Sequence, residues 1–222
     1  MKPSLIFDLD GTLVDSLPGI AASLNRSLTS HGLLGHSDAA VRSFIGDGLQ
    51  TLIRRAAPAG AASELLESLI RYFKADYGVS WANGTKAYPG MHALLEELRA
   101  DGYQLAVLSN KTHDFTVAMT HAVFPNIPFA MVLGQQEGIP HKPEPVGALQ
   151  IANDFGVAPE NCVIIGDSTM DLETATNAGM KAIAVSWGYH DRERLWDAGA
   201  EIIIDFPTEL LDKVRGDNTR LA

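Results

Sequence analysis

Two aspartates, Asp8 and Asp10, end the first apolar run of the chain in Leu5-Ile6-Phe7-Asp8-Leu9-Asp10-Gly11-Thr12. Leu5 to Phe7 reads as a short buried strand, and Gly11-Thr12 reads as the turn that stops it. Side chains two apart on a strand share a face, so extended backbone through residue 10 places both carboxylates in one site. Like charges that close are unfavourable unless a cation or a proton lies between them. By itself the pair also describes an ordinary strand-to-loop turn, where Asp and Gly are common. Three further polar clusters, each near an apolar run of its own, favour the chemical reading.

Ser109-Asn110-Lys111 follows Leu105 to Leu108. A hydroxyl and the free N–H groups of a strand-to-helix turn there would form an anion site, because helix N-termini carry partial positive charge. A simple helix cap is the plainer alternative. In His141-Lys142-Pro143-Glu144-Pro145 two prolines stiffen the backbone that presents Lys142. An acidic site that handles phosphate needs such a cation. The last cluster, Gly166-Asp167-Ser168-Thr169-Met170-Asp171, follows Val163 to Ile165 and opens a helix. Asp167 belongs to the strand end and Asp171 to the first helical turn, so both can face one crevice. Hard carboxylate oxygens suit Mg²⁺, which is typically held by few carboxylates together with substrate phosphate. Asp171 alone would also serve as a capping residue.

The elements that must carry these residues follow from the hydrophobic pattern. Apolar runs at Leu5 to Phe7, Leu105 to Leu108, Ala130 to Leu133, Val163 to Ile165, Ala182 to Val185 and Ile202 to Ile204 are continuous, as in parallel strands buried on both faces. Helical patterns lie between them at Met91 to Ala100, Asp114 to Val123, Pro145 to Phe155 and Leu172 to Asn177. This alternation predicts a Rossmann-like, doubly wound α/β fold with a parallel sheet. Between about Leu17 and Lys86 only helical periodicity appears, broken at Gly32 to Gly35, Gly46 to Gly48 and Pro58 to Gly60. That is too long for a connection. We expect residues 1–15 and 87–222 to form the α/β core and residues 16–86 an inserted α-helical cap, hinged beside the first aspartates and able to close over them.

Composition narrows the partners. The 222 residues are 46% hydrophobic and 20% charged, as in an ordinary globular protein, and the formal net charge of −10 argues against nucleic acid. No stretch reaches the roughly 18 to 20 apolar residues of a membrane-spanning helix. Cys162, the single cysteine, excludes an intrachain disulfide and fits a buried core residue of a reducing compartment. With no signal-peptide pattern at the N-terminus, a cytoplasmic monomer or homodimer acting on a small phosphorylated metabolite is expected.

Together the clusters resemble the four motifs of the haloacid dehalogenase superfamily, present in order and without departure, with the insertion similar to the small α-helical cap of one branch. The resemblance implies a Mg²⁺-dependent phosphomonoester hydrolase. Asp8 would be the nucleophile that forms an aspartyl-phosphate, and Asp10 the general acid and then base. Superfamily dehalogenases lack this second aspartate, so the resemblance favours phosphoryl chemistry. Lys142 would neutralise Asp8 and hold the phosphoryl group with Ser109, Asn110, Gly11 and Thr12. Mg²⁺ would lie on the Asp8 carboxylate, the Asp10 backbone carbonyl and Asp167, with Asp171 in support.

Within the superfamily, Asp15-Ser16-Leu17-Pro18, the segment Val41 to Gly48 and Ser186-Trp187-Gly188-Tyr189 look most like phosphoglycolate phosphatases. A carboxylated substrate would need a second cation. Lys111 stands nearest the motifs, whereas Arg42 and Arg54 read as solvated cap residues. The Gly46-Asp47-Gly48 turn is the candidate cap loop that meets substrate. Rival readings on the same scaffold are a β-phosphoglucomutase-like phosphotransferase, a pyrophosphatase and a non-catalytic regulatory protein.

Overall fold

Continuous aliphatic runs build the centre of the protein, which the computed structural model describes over residues 2–215. Strand β1 (Ser4–Phe7) leads through the two-residue β2 (Val14–Asp15) into four helices, α1 (Leu17–Ser30), α2 (Asp38–Phe44), α3 (Gly48–Ala56) and α4 (Ser63–Ser80). A 3₁₀ turn at Trp81–Gly84 and β3 (Lys86–Ala87) return the chain to the core. Helix α5 (Met91–Ala100), β4 (Leu105–Thr112), α6 (His113–Val123), β5 (Met131–Gln135), α7 (Val146–Phe155) and β6 (Cys162–Gly166) follow. The described chain ends with α8 (Thr169–Ala178), β7 (Lys181–Val185), α9 (Arg192–Asp197), β8 (Ile203–Ile204) and α10 (Glu209–Arg215).

The main sheet has six strands in the order β5-β4-β1-β6-β7-β8, all parallel, which makes the fold Rossmann-like and doubly wound. All of β1 is buried. Leu5 and Phe7 join the hydrophobic layer that includes Leu94, Leu95 and Leu98 of α5, while Ile6 joins Ala148 and Ile151 of α7 and Ala175 of α8. Two apolar faces require an uninterrupted apolar strand, and full burial of each large side chain contributes about 1.5–3 kcal/mol. The chain builds outward from β1 through β4 and β5, then returns to the other side of β1 with β6. The carboxyl ends of β1 and β6 therefore flank the crevice where open α/β sheets bind ligands.

The insertion is an α-helical unit whose breaks fall at the glycine and proline clusters. Leu24 and Leu28 of α1 meet Leu69, Phe73 and Tyr77 of α4 in its buried interior, and Ser27 Oγ donates to Leu69 O at 3.0 Å. Its two connections pair with each other, Val14 opposite Ala87 and Asp15 opposite Lys86, as an antiparallel ribbon. Strands of two residues carry no readable alternation, so this neck is invisible to pattern.

Other departures from pattern have similar causes. Strand β4 continues past its apolar run to Thr112, paired with Gln135 across a register shift after Leu108. Backbone pairing holds that end, so polar side chains do not stop it. Helices α9 and α10 are six and seven residues long, too short to establish periodicity. Among the described residues, no helix is long and apolar enough to cross a membrane.

Candidate active site

Asp8 continues the line of β1, donating its backbone N–H to Ile165 O at 2.9 Å. Beyond it the chain folds into a tight turn in which Leu9 O accepts from the N–H groups of Thr12, Leu13 and Val14. Gly11 occupies the turn at φ +86°, where a side chain would be strained. Both aspartates line one cavity, but each carboxylate has its own cation. Asp8 Oδ1 lies 3.0 Å from Lys142 Nζ and accepts from Leu9 N–H at 2.7 Å. Asp10 accepts from Ser16 Oγ at 2.5 Å, and both of its oxygens lie 3.1 Å from Lys111 Nζ.

Asp8 meets Asp167, from the end of β6, and Asp171, from the first turn of α8. One carboxylate oxygen from each lies within 4.8 Å of the others, and all three residues are buried. Lys142 Nζ bridges Asp8 and Asp171, the latter at 2.6 Å. Asp171 also accepts from the Ser168 N–H at 3.0 Å and hydroxyl at 2.6 Å, so it caps α8 as well as holding the lysine. Asp167 accepts from Thr12 Oγ1 at 2.9 Å and from Tyr189 N–H at 2.7 Å.

The charges in this cluster do not balance. Lys142 offsets one of three negative charges. Burial pushes Asp8 up to about 7, against the opposing pull of Lys142 and with help from Asp171 and Asp10. Burial, with the charges of Asp8 and Asp171, also raises Asp167 well above the usual carboxylate range. Lys142 itself loses solvation, yet Asp171 and Asp8 more than reverse that effect and hold it protonated. Three convergent hard oxygen donors with excess negative charge fit a divalent cation such as Mg²⁺. The Asp10 carboxylate is engaged by Ser16 and Lys111 and is not among these donors.

Other predicted residues take roles that pattern alone could not assign. Ser109 lines the cavity but lies within β4, and α6 begins only at His113, so it does not cap that helix. The Asn110 side chain is committed to structure: Nδ2 donates to Gly46 O at 2.9 Å and to Lys142 O at 3.1 Å, while Oδ1 accepts from Lys142 N–H at 2.8 Å. It ties the loop of Lys142 to the helical insertion. Thr12 is fully buried, its hydroxyl serving Asp167. Gly11 and Gly188 make room for the same carboxylate, since a Cβ would lie 2.3 Å and 2.2 Å from Asp167 atoms, respectively. Gly188 was legible only as part of a family-like segment. Its neighbours bind the opening loop, Trp187 Nε1 to Thr12 O at 3.1 Å and Tyr189 Oη to Ser16 Oγ at 3.1 Å.

The insertion covers the site. Ile20, Ile45, Leu49, Leu52 and Phe73 form an apolar roof over a cavity of about 80 Å³. Gly46 and Gly48 of the candidate loop line it too. Arg42 is exposed, as expected of a solvated residue of the insertion, and it also donates Nε to Tyr189 O at 2.8 Å and Nη2 to Gly188 O. Those carbonyls lie about 146 residues away in sequence, so only tertiary approach supplies the partner. Arg54 is exposed. Tyr77 Oη of α4 accepts from Lys111 Nζ at 2.9 Å, adding a third link between insertion and core.

Comparison with known proteins extends this likeness over nearly the whole chain. The family described as haloacid dehalogenase-like hydrolase matches residues 5–185. The phosphoglycolate phosphatase of Rhodospirillum rubrum is 34% identical over 212 residues, covering 92% of this chain and 88% of that one. The phosphoglycolate phosphatase of Chromobacterium violaceum is 32% identical over 216 residues, covering 96% of each. A crystal structure of a predicted phosphoglycolate phosphatase from Haemophilus somnus matches with a TM-score of 0.90 at 30% identity, covering 96% of this chain and 97% of that one.

Proposed function

The chain belongs to the haloacid dehalogenase-like hydrolase family and is a phosphatase, and we propose that it is a Mg²⁺-dependent phosphomonoesterase whose preferred substrate is 2-phosphoglycolate. The observation that carries the reading is the convergence of Asp8, Asp167, Asp171 and Lys142 at the switch point of the sheet, with Asp10 on the same cavity. Phosphoryl transfer is mostly positioning and charge stabilisation, and this set supplies both.

In the first step an Asp8 carboxylate oxygen bonds to phosphorus as the bond to the leaving oxygen breaks, giving an aspartyl-phosphate. Asp10 delivers a proton to the leaving oxygen. In the second step water attacks phosphorus, Asp10 takes its proton, and the Asp8–phosphorus bond breaks to release inorganic phosphate. Lys142, fixed by Asp171 and by the Asn110 clamp on its backbone, keeps positive charge beside the nucleophile throughout. Asp8 and Asp167, with Asp171 in support, would hold Mg²⁺, which would supply neutralising charge for the phosphoryl oxygens. The Ser109 hydroxyl is the side-chain donor left to the phosphoryl group. The apolar roof excludes bulk water and disfavours a sugar, which argues against the phosphomutase reading.

We place the enzyme in the cytoplasm as a monomer or homodimer, and the single, buried, unpaired cysteine fits a reducing compartment. A screen of small phosphate esters with Mg²⁺, ranked by kcat/KM and run beside Asp8→Asn, tests the activity. Phosphoglycolate should rank first and Asp8→Asn should be inert. A flat ranking removes the substrate assignment. Isomerised product with little free phosphate from β-glucose 1-phosphate removes the hydrolase.

A further inference from the structure

The cavity is asymmetric in charge. Its floor carries Asp8, Asp10 and Asp167, its roof is aliphatic and aromatic, and Lys111 is the one lysine or arginine among the described residues that line it. His190 also borders the cavity, but its Nδ1 accepts the Thr169 N–H at 3.2 Å, so the ring is neutral. Lys142 is spent on Asp8 and Asp171. Lys111 sits at the seam between core and insertion, with Asp10 on one side and Tyr77 on the other, its ammonium 4.8 Å from the centroid of the Tyr77 ring.

We infer that Lys111 determines specificity for the leaving group by binding a carboxylate carried on the alcohol portion of the ester, in exchange for part of its contact with Asp10. The inference rests on the phosphomonoesterase reading and names the chemical class of its substrate. A lysine ammonium has three donors, and Asp10 Oδ1, Asp10 Oδ2 and Tyr77 Oη use them. A substrate carboxylate next to the roof finds no other full positive charge there. A neutral leaving group offers Lys111 nothing and leaves both Asp10 oxygens occupied. Among the roof residues contributed by the insertion, only Tyr77 has a polar side chain, so a polyhydroxylated leaving group would bury hydroxyls without partners. The class that fits is a short ester with one anionic group and few or no hydroxyls.

The test compares 2-phosphoglycolate with ethyl phosphate in the wild type, Lys111→Met, Lys111→Arg and Tyr77→Phe. The ratio of kcat/KM values favours phosphoglycolate in the wild type. It should fall roughly 10- to 100-fold in Lys111→Met, the range for a hydrogen bond to a charged group. The loss should appear mainly in KM, Lys111→Arg should recover most of the ratio, and Tyr77→Phe should lower it less. A ratio unchanged in Lys111→Met overturns the assignment. A binding measurement on the wild type reads Lys111 without turnover or a variant. With Mg²⁺ present, 3-phosphonopropionate should bind at least about tenfold more tightly than propylphosphonate. Equal binding overturns the Lys111 assignment. Failure of the wild type to hydrolyse any ester, with the binding difference intact, overturns the phosphatase reading instead.

Discussion

Mg²⁺ should protect this protein against heat more strongly at about pH 8 than at about pH 6. The effect follows from Asp8, whose carboxyl is raised from 3.8 to about 7 chiefly by burial. Without metal, the native state keeps a proton that the unfolded chain releases above about pH 4, so stability falls as pH rises from about 4 to about 7 and then levels. The largest penalty for a single carboxyl displaced that far is about 4 kcal/mol, and relaxation of the site reduces it. A cation reverses the balance, because it requires the ionised form. Below about pH 7 it must displace at least one proton, which costs about tenfold in affinity per pH unit. At a fixed concentration well above Kd, that is about 1.4 kcal/mol less stabilisation at about pH 6 than at about pH 7 and above. For a chain of this length the difference amounts to about 3–6 °C in Tm. Circular-dichroism melts with and without millimolar MgCl₂ at the two pH values measure it directly. A rise in Tm that is equal at both, or larger at the lower pH, refutes the reasoning. Asp8→Asn should weaken the pH dependence.

The other expectations test the supporting contacts. Asp10→Asn should lower turnover about 10²- to 10⁴-fold, and by stripping buried Lys111 of its counter-ion it should cost about 3–5 kcal/mol in thermal or urea unfolding. Adding Lys111→Met to that variant should restore stability but not turnover. Gly188→Ala forces a Cβ to 2.2 Å from Asp167 Cβ and 2.4 Å from Gly11 O. It should destabilise the fold by about 1–3 kcal/mol and weaken Mg²⁺ binding, read by melts and by metal titration. Asn110→Ala leaves the Lys142 N–H, Lys142 O and Gly46 O short of a partner. A loss of about 1–3 kcal/mol with a lower kcat is expected, and stability and kcat both unchanged would remove the clamp from the mechanism.

Much of this enzyme is written in short-range pattern. A run such as Val163 to Ile165 must be covered on both faces, and only a parallel sheet between helix layers does that, so the doubly wound fold follows from local hydrophobicity. Asp8 and Asp167 are legible for the same reason, because each terminates an apolar run whose strand the fold must bring to one edge. Helical periodicity between two strands likewise exposes the insertion. The ribbon of Val14 and Asp15 with Lys86 and Ala87 is not legible, since its strands are held by backbone pairing and leave no side-chain signature.

The type and order of the candidate site residues, and the strand-end placement of Asp8 and Asp167, were therefore decided by the sequence itself. Which cation serves which carboxylate was decided only by tertiary structure. Lys111 finds Asp10 across 101 residues, Lys142 finds Asp171 across 29, and Arg42 finds the Gly188 carbonyl across 146. An ion pair or a main-chain hydrogen bond of that range imposes no spacing on either segment. Its energy depends on distance and desolvation, which exist only once the sheet has brought the strand ends together and the helical roof has removed the water.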